Sequence, residues 1–447
     1  PIDVVDLGEA GPIRCNRCKA YINPFFIFFD GGRKFKCNLC AFDNEVPSNY
    51  FVNLDMNGRR IDADSRPELK KGTVEFVASK EYSNRPAKPA SYIFAIDVTW
   101  NSLQSGMLAR CVQAIKELLY SGEKGLPVGA RVGIMTYDKS VHFYNLKSTL
   151  EQPQMLVVAD VEETFVPLSA GLLVDPYESK VVIENLLDSL PTIFEATRIS
   201  ESVLGASALA AYSALKDHGG KLIIFQTSLP TVGPGALKNR EDIKLLGTDK
   251  ERNLYEPQEY FWKKLGQDCC TAGISVDLFL FPNAYIDIAT IGALSSLTGG
   301  ETFNYTSFDG QRDGLKFSED LKTLLRRTFG YEALLRIRVS NGLKVSDYFG
   351  NFYMKNATDI ELAGLDSLKS IGVALHHDGK LDEKMESGIQ AALLYTTASG
   401  ARRIRVHNIS FSNTSLLGDV FRLADMDTTV NYLAKAGKCL NLAWDDG

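Results

Sequence analysis

Cys15-Asn16-Arg17-Cys18 and Cys37-Asn38-Leu39-Cys40 are two C-x-x-C pairs separated by eighteen residues. That spacing lets two short knuckles converge on one tetrahedral four-cysteine site, the closed geometry of structural zinc. With four thiolate ligands no coordination position is left for water, so one zinc ion is expected to organise a fold and not to catalyse. Working outward, Tyr21 to Phe29 is aromatic and apolar, enough for a small core beside the metal.

At 447 residues the chain exceeds one ordinary core, and about two to four domains are expected. Hydrophobic residues make up 45% and charged residues 23%, the composition of a globular protein, while the formal charge of −6 gives no global case for nucleic-acid binding. Cys111, Cys269, Cys270 and Cys439 show no paired spacing, and a zinc site beside unpaired thiols points to a reducing compartment. The longest apolar runs, Pro24 to Phe29 and Tyr92 to Ile96, are far short of a membrane span, and no secretory leader is legible in a chain that begins without Met. Membrane contact is therefore expected to be peripheral.

The texture changes along the chain. Thr73 to Val77 alternates as a strand does, and Arg85-Pro86-Ala87-Lys88-Pro89 reads as a linker. Then apolar strands (Tyr92–Ile96, Arg131–Tyr137, Lys221–Phe225, Ser275–Phe281) alternate with helical patterns at 108–119, 181–190, 203–215 and 287–297. This alternation predicts a mostly parallel, doubly wound sheet covered on both faces. The charged, glycine-rich stretch from Gly233 to Glu256 reads as a surface loop. After Gly330 the period becomes two: Leu335, Ile337 and Val339 share one face, Arg336 and Arg338 the other, and Arg403 and Arg405 oppose Ile404 and Val406. Residues 331–425 are expected to be antiparallel β, and Thr428 to Leu442 returns to a helical pattern.

Candidate chemistry is sparse. Asp97-Val98-Thr99-Trp100-Asn101 follows the first buried strand, at the sheet edge where an Asp-x-Ser-x-Ser loop would hold a divalent ion. One carboxylate with Thr99 and Asn101 is a poor ligand set, so this domain is expected to be a scaffold. No phosphate loop, nucleophile motif or histidine cluster argues for an enzyme. Arg14, Arg17, Lys19, Arg33, Lys34 and Lys36 surround the knuckles, either as counter-charge to the thiolates or as a basic patch. Arg336 and Arg338 project side by side from one strand face; they can grip a carboxylate or simply be solvated and ion-paired.

The run Arg14-Cys15-Asn16-Arg17-Cys18-Lys19-Ala20-Tyr21-Ile22-Asn23-Pro24-Phe25, the helix start Ser105-Gly106-Met107-Leu108-Ala109 and Tyr348-Phe349-Gly350-Asn351-Phe352-Tyr353 resemble the COPII inner-coat subunits, cargo-adaptor type. The resemblance runs along nearly the whole chain. It implies a multidomain α/β plus β fold: a zinc finger (1–50), a β-barrel or sandwich built jointly from 51–85 and 331–425, a von Willebrand A-like trunk (86–330), and the beginning of a helical domain (426–447). The family's further helical, gelsolin-like and disordered N-terminal regions would lie outside these residues.

The resemblance also implies a non-enzymatic coat component of ER-to-Golgi transport, acting on the cytosolic face of the endoplasmic reticulum membrane and on vesicles. Its trunk would pair with the GTPase-activating inner-coat subunit, with the small GTPase of the coat engaged indirectly. A pocket for acidic signals in cytosolic cargo tails would use Arg336, Arg338 and Leu394, with Lys36 beside the second knuckle; Ala41 stands where some members carry a second cation. Arg403 and Arg405 would contribute to a basic surface resting on anionic lipid. Three rival readings are the GTPase-activating partner itself, a metal-dependent A-domain ligand-binding protein, and a zinc-ribbon nucleic-acid binder, the last disfavoured by the net acidity.

Overall fold

The computed structural model describes residues 2–83, 86–120 and 125–440. Pro86 to Pro89 of the linker carry no regular secondary structure, and Arg85 lies outside the described residues; the end of the 428–442 helical pattern and the Cys439 side chain also fall outside them. A two-residue strand β1 (Val4–Val5) precedes the knuckles, which carry a small antiparallel sheet of β2 (Ile27–Phe29), β3 (Lys34–Lys36) and β4 (Asp43–Glu45). Next comes β5 (Thr73–Val77).

The trunk sheet uses β6 (Ser91–Asp97), β7 (Arg131–Tyr137), β8 (Val141–Asn145), β9 (Gln154–Val158), β10 (Gly220–Gln226), β11 (Ile274–Leu280) and β12 (Thr302–Asn304). The strand order is β12-β11-β10-β6-β7-β8-β9. It is parallel from β12 to β7 and antiparallel at β8 and at the edge strand β9, two strands that the apolar-strand pattern does not reveal. Strand β6 shows why both faces must be covered: every one of its residues is buried. Tyr92, Phe94 and Ile96 face the helices Met107–Tyr120, Lys180–Ile193 and Gly314–Arg326; Ile93 and Ala95 face Leu204–Leu215, Tyr260–Thr271 and Ile288–Leu297.

After the trunk come β13 (Phe329–Val339), β14 (Leu343–Phe349), β15 (Asp359–Asp366), β16 (Gly372–His377), β17 (Glu386–Thr397) and β18 (Arg402–Ser412). The main sheet is six-stranded, in order β1-β5-β18-β17-β13-β15, with β14 and β16 paired separately. Strand β5, more than 300 residues before β18, lies antiparallel to it with Phe76 opposite Ile404. The N-terminal β1 also joins this sheet, parallel to β5, although the sequence groups it with the cysteine module. Val74, Phe76, Ala392, Ile404 and Val406 bury one face of the sheet against Tyr21, Ile22, Phe35 and Leu39 of the zinc module.

The opposite face of β18 carries an acidic partner for its arginines. Arg405 pairs with the buried Glu75 at 2.7 Å, Arg403 reaches the same carboxylate at 3.5 Å, and Tyr395 donates to it at 2.8 Å. Two guanidinium groups thus share one carboxylate, and the side chains of Arg403 and Arg405 remain 25% and 32% exposed. The trunk and the sandwich meet closely where Gly364 of β15 lies against Ser275 and Phe329, its N–H donating to Thr298 at 3.1 Å. The helix Met426–Leu440 ends the described chain, with Tyr432 edge-on to Phe349.

Candidate metal centre and peptide pocket

Each knuckle closes in the same way. Lys19 N–H donates to Cys15 O at 3.0 Å and Ala41 N–H to Cys37 O at 2.9 Å, and both Lys19 and Ala41 adopt left-handed backbone (φ 59° and 55°) to turn the chain back. The four sulfurs lie within 4.8 Å of one another, with Cys15–Cys40 at 3.5 Å and Cys18–Cys37 at 3.6 Å. A zinc–sulfur bond of about 2.3 Å requires tetrahedral edges of about 3.8 Å, so the residues fit a single zinc ion. Asn44 supports the cluster from behind: it accepts from Asn16 N–H at 2.7 Å and directs its amide toward Cys15 Sγ at 3.5 Å.

Gln390, fully buried on β17, fastens this module to the sandwich. Its side chain accepts from Tyr21 N–H at 2.7 Å and donates to Tyr21 O at 2.8 Å, so an amide imitates one rung of a β-ladder. The clamp fixes Tyr21 and, through the Arg14–Tyr21 bridge, Arg14.

Beside the clamp a cavity of about 200 Å³ is lined by Arg14, Tyr21, Tyr82, Leu334, Arg336, Arg338, Ala392 and Leu394. Leu334 and Leu394 are register partners on β13 and β17, as are Arg336 and Ala392, so one wall is a strip of strand surface. Three of the sequence-derived residues, Arg336, Arg338 and Leu394, meet here. Lys36 does not: it lies on β3, exposed, between Ile27 and Asp43. The zinc module contributes Arg14 in its place, the residue immediately before the first cysteine. Tyr82 comes from the segment after β5. Arg14 stood in the sequence as one of six cations near the knuckles, and nothing in local spacing separates it from the others.

The cations of the cavity differ in how they are held. Arg14 stacks over Tyr21 at 4.6 Å, donates to Lys19 O at 2.9 Å and touches Tyr82 Oη at 3.3 Å. Arg338 donates through Nε to Cys18 O at 3.1 Å, while its buried Nη1 has no partner among the described residues. Burial, and then the neighbouring charge of Arg14, lower the pKa of the Arg338 guanidinium. Burial also pushes Tyr21 up to about 12. Arg336 is gripped by Asp359, Nε to Oδ1 and Nη2 to Oδ2, both at 2.5 Å. Burial alone would raise the Asp359 carboxyl, but the hydrogen bonds from Arg336 and Asn356 outweigh it and hold the group below its ordinary value. Together these features make an amphipathic recess with a cationic end, one of whose donors is unsatisfied. A larger cavity, of about 850 Å³, lies elsewhere, between β16 and the start of the Met426–Leu440 helix.

At the trunk edge, Asp97 is fully buried and surrounded by donors: Thr99 N–H at 2.8 Å, Thr227 N–H at 2.9 Å and the Thr227 hydroxyl. Burial raises its pKa, with those hydrogen bonds opposing. A divalent ion needs an array of oxygen acceptors, and the Asp97 carboxylate is already spent on protein donors. The donor set does not fit a metal-dependent adhesion site.

A zinc finger, a doubly wound trunk and a β-sandwich sharing a sheet with N-terminal strands define a class of coat proteins. Residues 12–50 match the Sec23/Sec24 zinc finger, 87–325 the Sec23/Sec24 trunk domain and 330–414 the Sec23/Sec24 beta-sandwich domain. The chain belongs to the Sec23/Sec24 family and, within it, to the Sec24 type. It is 46% identical to the human protein transport protein Sec24C over 440 residues, which is 97% of this chain and 40% of that protein. It is 43% identical to human Sec24D over 444 residues (98% and 43%), and 45% identical to SEC24 B of Arabidopsis thaliana over 441 residues (97% and 40%). The crystal structure of the human COPII-coat protein Sec24c superposes with a TM-score of 0.94 at 44% identity, covering 99% of this chain and 60% of that one. The chain therefore spans less than half the length of these curated relatives.

Proposed function

We propose that this chain is a non-enzymatic cargo adaptor of the COPII coat, and that the recess between zinc module and sandwich receives acidic sorting signals from the cytosolic tails of membrane cargo. The observation that carries this reading is the buried Nη1 of Arg338, without a partner among the described residues, beside Arg14 and opposite the apolar strip of Leu334, Ala392 and Leu394. A peptide carboxylate completes the missing hydrogen bond while an adjacent apolar side chain covers the strip. Arg14, Arg338 and Leu394 are the recognition residues; Arg336 flanks them and Lys36 takes no part.

The trunk would pair with the GTPase-activating inner-coat subunit. Strand β9, whose outer edge has no partner among the described strands and which exposes Met155 and Val157, supports an edge contact of this kind. The small GTPase of the coat would be met through that partner. The site of action would be the cytosolic face of the endoplasmic reticulum membrane and its vesicles, by peripheral contact with anionic lipid. No described helix is long and apolar enough to cross a membrane.

The test is a titration of immobilised acidic tail peptides. Arg338→Gln and Arg14→Gln should each weaken binding about tenfold or more, the value of a lost charge-assisted hydrogen bond, with zinc content unchanged. Affinities equal to wild type in both variants would reject this pocket.

A further inference from the structure

Arg336 and Arg338 point from the same face of β13, yet only Arg338 has a buried donor without a partner among the described residues. Register explains the difference. Arg336 lies directly opposite Asp359, the first residue of β15, and its Nε–Nη2 fork closes on both carboxylate oxygens at 2.5 Å. Nη2 also reaches Thr358 Oγ1 at 3.3 Å. Asp359 is itself held in place: its N–H donates to Asn356 Oδ1 at 2.8 Å, and Asn356 Nδ2 donates to its Oδ2 at 3.1 Å. Its side chain is 13% exposed, whereas that of Arg336 is 41% exposed and borders the cavity. Asp359 does not line the cavity, so the carboxylate engages Arg336 from outside the space a ligand would fill.

A two-point fork closing on a carboxylate is the geometry in which an arginine would receive an acidic side chain from a peptide. From this we propose, resting on the pocket reading above, that Asp359 acts as an internal competitor for Arg336 and so restricts the site to one strongly held carboxylate, at Arg338 and Arg14. The ligand class is then an extended peptide with one acidic residue next to an apolar one. A second carboxylate two residues away matches the spacing of alternate side chains on β13, but it meets an arginine whose charge is already neutralised and gains little.

Asp359→Asn tests this directly, because it removes the competing charge and keeps an acceptor for Arg336. Two probe peptides are needed, both apolar around their acidic positions: one carries a single Glu, the other two Glu residues at positions i and i+2. Asp359→Asn should tighten binding of the two-Glu peptide about tenfold or more and leave the single-Glu peptide within about twofold. The gain should vanish in Arg336→Gln/Asp359→Asn. Unchanged single-Glu affinity also shows that the substitution preserves the fold of the site.

If wild type binds but Asp359→Asn shifts neither peptide, or both equally, the competitor role is wrong and the pocket reading stands. Weaker two-Glu binding would overturn it as well, making Asp359 a residue that holds Arg336 in a productive pose. If no chain binds either peptide, both readings fail.

Discussion

Replacing Gln390 by leucine keeps most of the side-chain volume on β17 and removes the clamp between zinc module and sandwich. The substitution deletes the bonds to Tyr21 N–H (2.7 Å) and Tyr21 O (2.8 Å), and one to Asn408 Oδ1 (2.7 Å). Gln390 and Tyr21 are 1% and 5% exposed, so water does not replace the lost partners without opening the interface. An orphaned buried polar group costs about 1–3 kcal/mol. Tyr21 O keeps the Asn23 amide at 3.1 Å, so the orphans are Tyr21 N–H and Asn408 Oδ1; offset in part by the apolar leucine, they give a net cost of about 3 kcal/mol, or about a hundredfold in the local opening equilibrium.

A multidomain chain does not melt in one step, so the reading should be local. Hydrogen exchange of a fragment covering residues 12–26 should lose about two orders of magnitude of protection, while zinc content stays at one ion per chain because none of the cysteines bonds to Gln390. Acidic-peptide affinity should fall in parallel, since Arg14 and Tyr21 move with the module. Protection within about threefold of wild type would refute the clamp; loss of zinc at the same rate would show that Gln390 serves the metal site instead.

Gly364→Ala should destabilise the trunk–sandwich junction by about 1–3 kcal/mol, because its Cβ would sit 2.4 Å from Ser275 Cβ and 2.8 Å from Phe329; calorimetry of the two transitions checks this. Asp97→Ala should cost about 2–4 kcal/mol by stranding the Thr99 and Thr227 donors, and excess Mg²⁺ should leave the melting of wild type unchanged. His142 is buried between Thr136, Ser140 and Phe194, and burial lowers its pKa below 6.5, with Asp138 opposing. The folded trunk thus binds this proton less tightly than the unfolded chain, so its stability is complete above pH 6.5 and is lost as pH falls through the lower folded value; urea titrations of His142→Gln should show a shallower loss over that window.

How much was legible in the chain depends on the range of the physics involved. The cysteine spacing and the buried strands Tyr92–Ile96 and Lys221–Phe225 declared themselves because knuckle geometry and side-chain period are properties of a few neighbouring residues. Strands β8 and β9 were not legible: His142 and Asn145 interrupt the first, and Gln154 opens the second. Arg14 could not be distinguished from Lys36 for a similar reason. Both are cations within a few residues of a cysteine, and only the packing of the module on β17 turns one toward the recess and leaves the other on the outer face of β3.

By itself the sequence determined the metal chemistry, the order of the domains and the arginine pair on β13, since each follows from residue type and local period. The tertiary structure alone decided which charges are free. Arg405 is neutralised by Glu75, 330 residues away, and Arg336 by Asp359 across one rung of a sheet, while Arg338 Nη1 is left open. An ion pair falls off with distance and depends on register, and register between remote strands is set by how whole faces are buried.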